Sequence, residues 1–220
     1  MVDAPFESAN GGVAALTPAT DMYGMMRIVQ SLPHERAESA RRWLAAAGVA
    51  RLEETADPEL AIARAREEFQ RRGYPQQWID QRMRAMSARA QIVGEWHKRG
   101  AAEGSHYREL TNALFHAAFG MEVEEYRRAK GLTGHENLRD HMSEVELALV
   151  TLGETVGAEL HRLQGSHTLH ELIRDIHDAG VIVAGARRRI EEASGKQVVE
   201  RTRKPWTQRG HHGRKSESAA

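Results

Sequence analysis

The chain has 220 residues, and its 31 Lys and Arg balance 31 Asp and Glu, so its formal net charge is zero at pH 7. It contains no cysteine, which excludes disulfides, thiolate nucleophiles and cysteine-based zinc sites. No apolar run approaches the ~18 residues of a membrane span, and residues 1–16 lack the pattern of a leader peptide. With 40% hydrophobic but only 5% aromatic residues, the composition predicts a cytoplasmic, all-α protein with no membrane partner.

The first predicted elements are an irregular segment and a pair of helices. Residues 1–20 mix Gly, Ala, Ser, Thr and Pro without helical periodicity, and we expect them to be flexible. Asp21 is placed to cap a first helix, and Pro33 to end it and begin a second. We expect residues 21–54 to form this pair, and the helices at residues 21–47 to expose apolar surface, which a homo-oligomer would cover.

Residues 55–199 form the predicted main domain, which starts with a helical hairpin. Asp57 and Pro58 begin its first helix, and its second runs from about Pro75 to Lys98. The apolar stripe of the second helix is expected to be buried, and it consists of Ile79, Met83, Met86, Ala90, Val93 and His97. Three arginines off the stripe are expected to be solvated, namely Arg82, Arg84 and Arg89.

Two capping boxes predict long helices at residues 143–164 and 168–193, after a further helix that begins at Ser105. Gly180 and Gly185 each weaken the last helix by ~1 kcal/mol relative to Ala, which close packing against a neighbouring helix would offset. The boxes pair Ser143 with Glu146 and Thr168 with Glu171. The inward stripe expected for residues 143–164 is Val145, Leu149, Leu152, Val156, Leu160 and Leu163.

The sequence contains no phosphate-binding loop, HExxH motif or nucleophile elbow in a usable context. His170 and His177, with Glu171 and Asp178 nearby, have the spacing to share a metal on one helix face. Histidines without a fixed ligand signature are more often exposed or hydrogen-bonded. We therefore expect no catalytic residue, no metal and no cofactor.

The C-terminal 20 residues form a basic tail. Residues 201–220 carry a net charge of +5, and residues 1–200 carry the compensating −5. Such a tail either follows a phosphate backbone, with Trp206 stacking on a base, or is a solvated, disordered terminus. The candidate nucleic-acid-binding residues are Arg201, Arg203, Lys204, Trp206, Arg209, Arg214 and Lys215.

The order of a helix, a K-G-L turn, a short L-R-D-H-M helix and a capped long helix is found in EVEEYRRAKGLTGHENLRDHMSEVELALV, residues 122–150. This segment resembles the C-terminal region of the BRO family of phage and prophage proteins, a group that includes DNA-damage-inducible protein D. The resemblance extends over residues 21–199, where AGVIVAGARRRIEEASGKQVV is similar to the family's closing helix.

The resemblance implies a non-enzymatic accessory or regulatory role in DNA transactions, of the DNA-damage-inducible or phage antirepressor type. Its implied partners are DNA and a recombination or repressor protein. A strand-containing N-terminal domain, credited with DNA binding, is absent from the residues before 21. This absence indicates a truncated remnant, a split gene or a misassigned start. The alternative function is a helical interaction or oligomerisation module without DNA binding.

Within the matched core, Lys130, Arg139 and Asp140 are the candidate contacts to a partner or to nucleic acid. The alternative is structural, because Arg139 and Asp140 can also cap neighbouring helices. The two short helices of this segment also have the order of a helix-turn-helix, although the second is too short to read a DNA groove well.

Overall fold

The computed structural model describes residues 2–6, 15–32, 37–133 and 136–199. Within the described residues from 21 to 199 the protein is all-α, as predicted, and the helices are joined by short connections. The helices are α1 (Met22–Ser31), α2 (Glu38–Ala56), α3 (Glu59–Arg71), α4 (Gln76–Lys98), α5 (Ser105–Phe119), α6 (Val123–Ala129), the 3-10 helix Leu138–His141, α7 (Glu144–Gln164) and α8 (Leu169–Ser194).

The N-terminal residues are not wholly irregular. Strand β1 (Val2–Phe6) pairs antiparallel with β2 (Ala15–Ala19), so that Val2 lies opposite Ala19. This hairpin corrects the prediction of a flexible segment over residues 1–20. Each strand contains a proline, which a two-stranded sheet tolerates because both strands are edges.

The chain divides into two compact units, Met1–Arg64 and Ala65–Ala220. This boundary falls within α3, rather than at residue 54 as expected. In the first unit, the Asp21 side chain accepts a hydrogen bond from Gly24 N at 2.7 Å and caps α1, as predicted. α2 continues through Gly48, and no residue of α1 or α2 is buried.

The second unit has its core between α4, α5, α7 and α8. The backbones of α5 and α8 approach closely at Gly180, where an added Cβ would lie 2.5 Å from Ala117 Cβ. Close packing therefore explains Gly180. It does not explain Gly185, which has no neighbouring atom within 4 Å of such a Cβ.

The inward faces of α4 and α7 differ from those expected. In α7 the predicted stripe faces inward only in part: Leu149 is buried, whereas Val145, Leu152 and Leu163 are exposed, Leu163 by 73%. The cause is a pair of glycines, Gly153 and Gly157, which let α7 pack against Leu114 and Ile176. The buried residues of α7 are Glu146, Leu147, Leu149, Val150, Gly153, Glu154, Gly157, Ala158 and His161. Those of α4 are Trp78, Ile79, Arg82, Ala85, Ala88, Ile92 and Trp96.

Candidate functional site

A fully buried ion pair joins the end of α6 to the start of α7. The ammonium nitrogen of Lys130 lies 2.7 Å from Oε1 and 2.8 Å from Oε2 of Glu146. Both side chains are inaccessible to solvent. The Tyr126 hydroxyl also donates a hydrogen bond to Glu146. An unpaired charge in the protein interior is costly in free energy, so each of the two buried charges needs the other as its partner.

Glu146 also begins α7. Its carboxylate accepts a hydrogen bond from Ser143 N at 2.6 Å, and Ser143 Oγ accepts one from Glu146 N at 3.3 Å. The predicted capping box is therefore present. The structure corrects the interpretation of Lys130 as a partner or nucleic-acid contact, because its ammonium group is held inside the bundle by Glu146.

Asp140 attaches the 3-10 helix to α4. Its carboxylate accepts a hydrogen bond from Arg82 Nε at 2.9 Å, and its carbonyl accepts one from the Tyr74 hydroxyl at 3.0 Å. Next to this pair, the Trp78 indole donates to the carbonyl of Met142 at 2.8 Å. The expectation that Arg82 is solvated is wrong, since it is buried against Asp140.

Arg139 lies beside Asp140 in sequence but is directed to α7. Its guanidinium donates to Glu154, which also lies 3.5 Å from Arg89. Burial raises the pKa of Glu154, while the charges of Arg139 and Arg89 oppose that rise. Among the described residues, Glu154 Oε2 has no hydrogen-bond partner. Arg139 and Asp140 are thus engaged within the bundle, through ion pairs to α7 and α4 rather than through the helix caps that the structural alternative predicts.

A second buried cluster joins α4, α7 and α8. His161 Nε2 accepts a hydrogen bond from the Trp96 indole at 3.1 Å, and His161 Nδ1 lies 3.0 Å from Asp175 Oδ2. Ser166 Oγ donates to the same Asp175 oxygen at 2.5 Å. Burial lowers the pKa of His161, while the hydrogen bond to Asp175 acts to raise it.

This serine, histidine and aspartate do not form a nucleophilic triad. Ser166 bonds the aspartate rather than the imidazole, and the indole of Trp96 occupies the nitrogen that would act as a base. The neutral imidazole, with its proton on Nδ1, links three helices. This role is structural.

The histidines considered as metal ligands lie near the start of α8. The Glu171 carboxylate accepts hydrogen bonds from the backbone nitrogens of His167 and Thr168, which lower its pKa to about 2. It therefore serves the second predicted capping box. His177 is exposed and lies 3.6 Å from Asp178. No group of three potential metal ligands occurs in the part of the chain that the structure describes.

The helix-turn-helix reading is not supported by the lengths of the elements. α6 has 7 residues, and the 3-10 helix has 4. Leu138 and His141 of the 3-10 helix are buried, so it offers little surface for a groove of DNA. The basic tail, with its seven candidate nucleic-acid-binding residues, lies outside the described residues.

Among the described residues, most of the large apolar side chains that are exposed belong to the first unit. These side chains lie on α1, α2 and α3, and several are more than half exposed. They are Met22, Tyr23, Met25, Ile28, Leu32, Trp43, Val49, Leu52, Leu60 and Ile62. Contiguous apolar surface on a protein marks contact with other molecules. The exposed side chains that lie at residues 21–47 agree with the expectation of exposed apolar surface there.

The burial of several polar residues in the core is not predicted by the sequence analysis. Glu146, Glu154 and His161 repeat at helical spacing on the same face of α7 as Gly153 and Gly157. Small residues along one face of a helix are a signal of close packing, and polar residues on that face must be paired. That signal is present in the sequence.

No protein-family model matches the chain, and no curated protein matches it. None of the helices in the described ranges combines the length and apolar character that a membrane span requires.

Proposed function

We propose that this chain is a non-enzymatic accessory or regulatory protein of DNA transactions, of the DNA-damage-inducible protein D or phage antirepressor type, that acts through contacts. The exposed apolar surface of α1 and α2 is the observation that carries the contact function. Helices α1 and α2 have no buried residue and gain little from packing within their own unit, so a second molecule is needed to cover their exposed apolar side chains.

The setting in DNA transactions rests on the resemblance of residues 21–199 to the BRO family. It is supported by the charge distribution, because the 20 C-terminal residues are basic while the rest of the chain is net acidic. Phosphates would be repelled by the acidic part and attracted by the tail. DNA and a recombination or repressor protein are the proposed partners.

The test is a titration of labelled single- and double-stranded oligonucleotides with the full chain at several salt concentrations. Neutralising about five phosphates gives a log-log salt slope of roughly −3.5 to −4.5. A variant with glutamine at the six basic tail positions should lose binding. Those positions are Arg201, Arg203, Lys204, Arg209, Arg214 and Lys215.

The matched control removes six exposed cations of the second unit instead, and it should bind as the parent does. Its replaced residues are Arg84, Lys98, Arg108, Arg128, Arg188 and Arg189. Equal loss in both variants would contradict the assignment to the tail. Absence of binding by the parent protein would leave the alternative, an interaction or oligomerisation module without DNA binding, which the apolar surface favours on its own.

A further inference from the structure

α2 carries an apolar seam that no other described element covers. Ala45, Val49, Leu52 and Ala56 follow one another at spacings of four, three and four residues, which is the repeat of a helix that packs along another helix. Val49 is 55% and Leu52 is 73% exposed. A seam of this kind, on a helix with no buried residue, lacks its partner helix.

Charges of opposite sign lie beside the seam toward its two ends. Arg42 lies on one edge near the start of α2, and Glu53 lies on the same edge three turns later, ~16 Å along the axis. Arg42 is 78% exposed and pairs with Glu38 at 3.4 Å. Among the described residues, Glu53 forms no ion pair through its side chain.

We propose that α2 pairs in antiparallel fashion with α2 of a second copy of this chain. A two-fold axis near the middle of α2 places Arg42 of each copy at the height of Glu53 of the other, on the same side of the seam. The interface then contains two identical ion pairs, as the symmetry of an isologous dimer demands. A parallel pair would instead set Arg42 of each copy at the height of Arg42 of the other, so that neither Arg42 would meet Glu53.

The residues next to the two-fold axis favour the same arrangement. Ala45, Ala46 and Val49 lie within one turn of that axis, and because the two alanines are small, two helices can approach closely there. A second copy therefore supplies the opposite charge at each end of α2 and small residues next to the two-fold axis. This identification of the partner rests on the proposed contact function, and it names the molecule that covers the surface.

The pair of helices is short. It buries less than the ~1,600 Å² of a standard-size protein interface, so the dimer should dissociate on dilution. Sedimentation velocity on the full chain, from low to high micromolar concentration, should show a monomer that converts to a dimer. A monomer at every concentration would contradict the proposal.

Leu52→Glu should abolish the dimer, because it places a carboxylate in the seam. Leu163→Glu is the matched control, since Leu163 has the same 73% exposure but lies on α7. It should leave the dimer unchanged. Equal loss in both variants, or loss in the control alone, would overturn the assignment to α2.

A charge exchange tests the antiparallel register. Arg42→Glu and Glu53→Arg should each sediment as monomers, because each sets like charges against one another. An equimolar mixture of the two variants should form a heterodimer, since both contacts are then between opposite charges. A mixture that stays monomeric would overturn the register. A chain that binds DNA but never dimerises would overturn the dimer and leave the proposed function standing.

Discussion

The two units of the chain use their side chains in opposite ways. In the second unit, even charged residues are buried, and Lys130, Glu146, His161 and Asp175 are fully enclosed with hydrogen-bond partners. In the first unit, α1 and α2 bury none of their residues, and large apolar side chains such as Trp43 face solvent. The first unit resembles an interface, and the second resembles a folded core.

This difference separates the residues that stabilise the fold from those that we propose contact other molecules. Apolar burial and paired polar groups hold α4, α5, α7 and α8 together, so substitutions there should be measured as loss of folding. Substitutions on the exposed faces of α1 and α2 should change association while changing unfolding little.

The largest effect is expected for the buried ion pair. Lys130→Met leaves the carboxylate of Glu146 buried without its partner, and it should lower the free energy of unfolding by ~3–5 kcal/mol. Urea unfolding followed by circular dichroism measures this change. The control is Arg128→Met, an exposed cation next to α6's end, which should change stability by less than ~0.5 kcal/mol.

A double variant separates charge from packing. Lys130→Met with Glu146→Leu should recover part of the loss, because no unpaired charge then remains in the interior. If Lys130→Met and Arg128→Met had the same small effect, the ion pair would not be buried as described.

The two glycines of α8 should respond to alanine with opposite signs. Gly180→Ala brings a methyl group against Ala117 and the carbonyl of Leu114, and it should destabilise the protein by ~1–3 kcal/mol despite a gain in helix propensity. Gly185→Ala meets no atom within 4 Å and should stabilise it by up to ~1 kcal/mol. Thermal unfolding of both variants checks the close contact between α5 and α8. Stabilisation by both would show that these helices do not touch at Gly180.

Part of this fold could be read from the sequence, and part could not. The starts of α1, α7 and α8 follow from local signals, since Asp21, Ser143 and Thr168 cap backbone groups close to them in the chain. The inward faces of α4 and α7 could not be read in the same way. Arg82 and Glu154 become core residues only because Asp140, Arg139 and other partners reach them from distant parts of the chain.

The candidate site illustrates the same limit. Lys130, Arg139 and Asp140 are polar residues in a turn, which sequence alone cannot distinguish from surface contacts. Their acidic and basic partners lie on other helices, so the structural role follows only from the three-dimensional arrangement. The expectation of exposed apolar surface at residues 21–47 is confirmed for Met22, Tyr23 and Trp43, whereas Val49 and Leu52 lie beyond that range.

The buried imidazole should give the protein a measurable pH dependence. Because burial lowers the pKa of His161 below its ordinary value of 6.5, the unfolded chain takes up a proton at higher pH than the folded protein does. Stability contributed by this group is present above pH ~6.5 and is lost as pH falls toward the lower folded pKa. Protonation would also displace the Trp96 indole from Nε2.

His161→Gln should therefore flatten the fall in unfolding free energy below pH ~6.5. His170→Gln, which replaces an exposed histidine, should keep the slope of the parent protein. Urea titrations at a series of pH values measure both slopes. Parallel slopes for the parent and His161→Gln would contradict the buried, neutral imidazole.

The smallest effect is expected for the exposed tryptophan of α2. Trp43 is 62% exposed, and Trp43→Ser should change the free energy of unfolding by less than ~0.5 kcal/mol. Trp78→Ala removes a side chain with no exposed surface and should cost ~3–5 kcal/mol. Thermal unfolding in dilute solution measures both variants. Similar losses of unfolding free energy for the two tryptophan substitutions would contradict the contrast between the units.

Hydrogen exchange of the native protein, read by mass spectrometry, tests the contrast between the two units most directly. In dilute solution, amides of α4, α7 and α8 should exchange only with global unfolding, while those of α1 and α2 should exchange far faster. Protection of α2 should rise with protein concentration as its seam becomes covered. Uniform protection of all these helices, independent of concentration, would contradict an account in which one unit is a core and the other an interface.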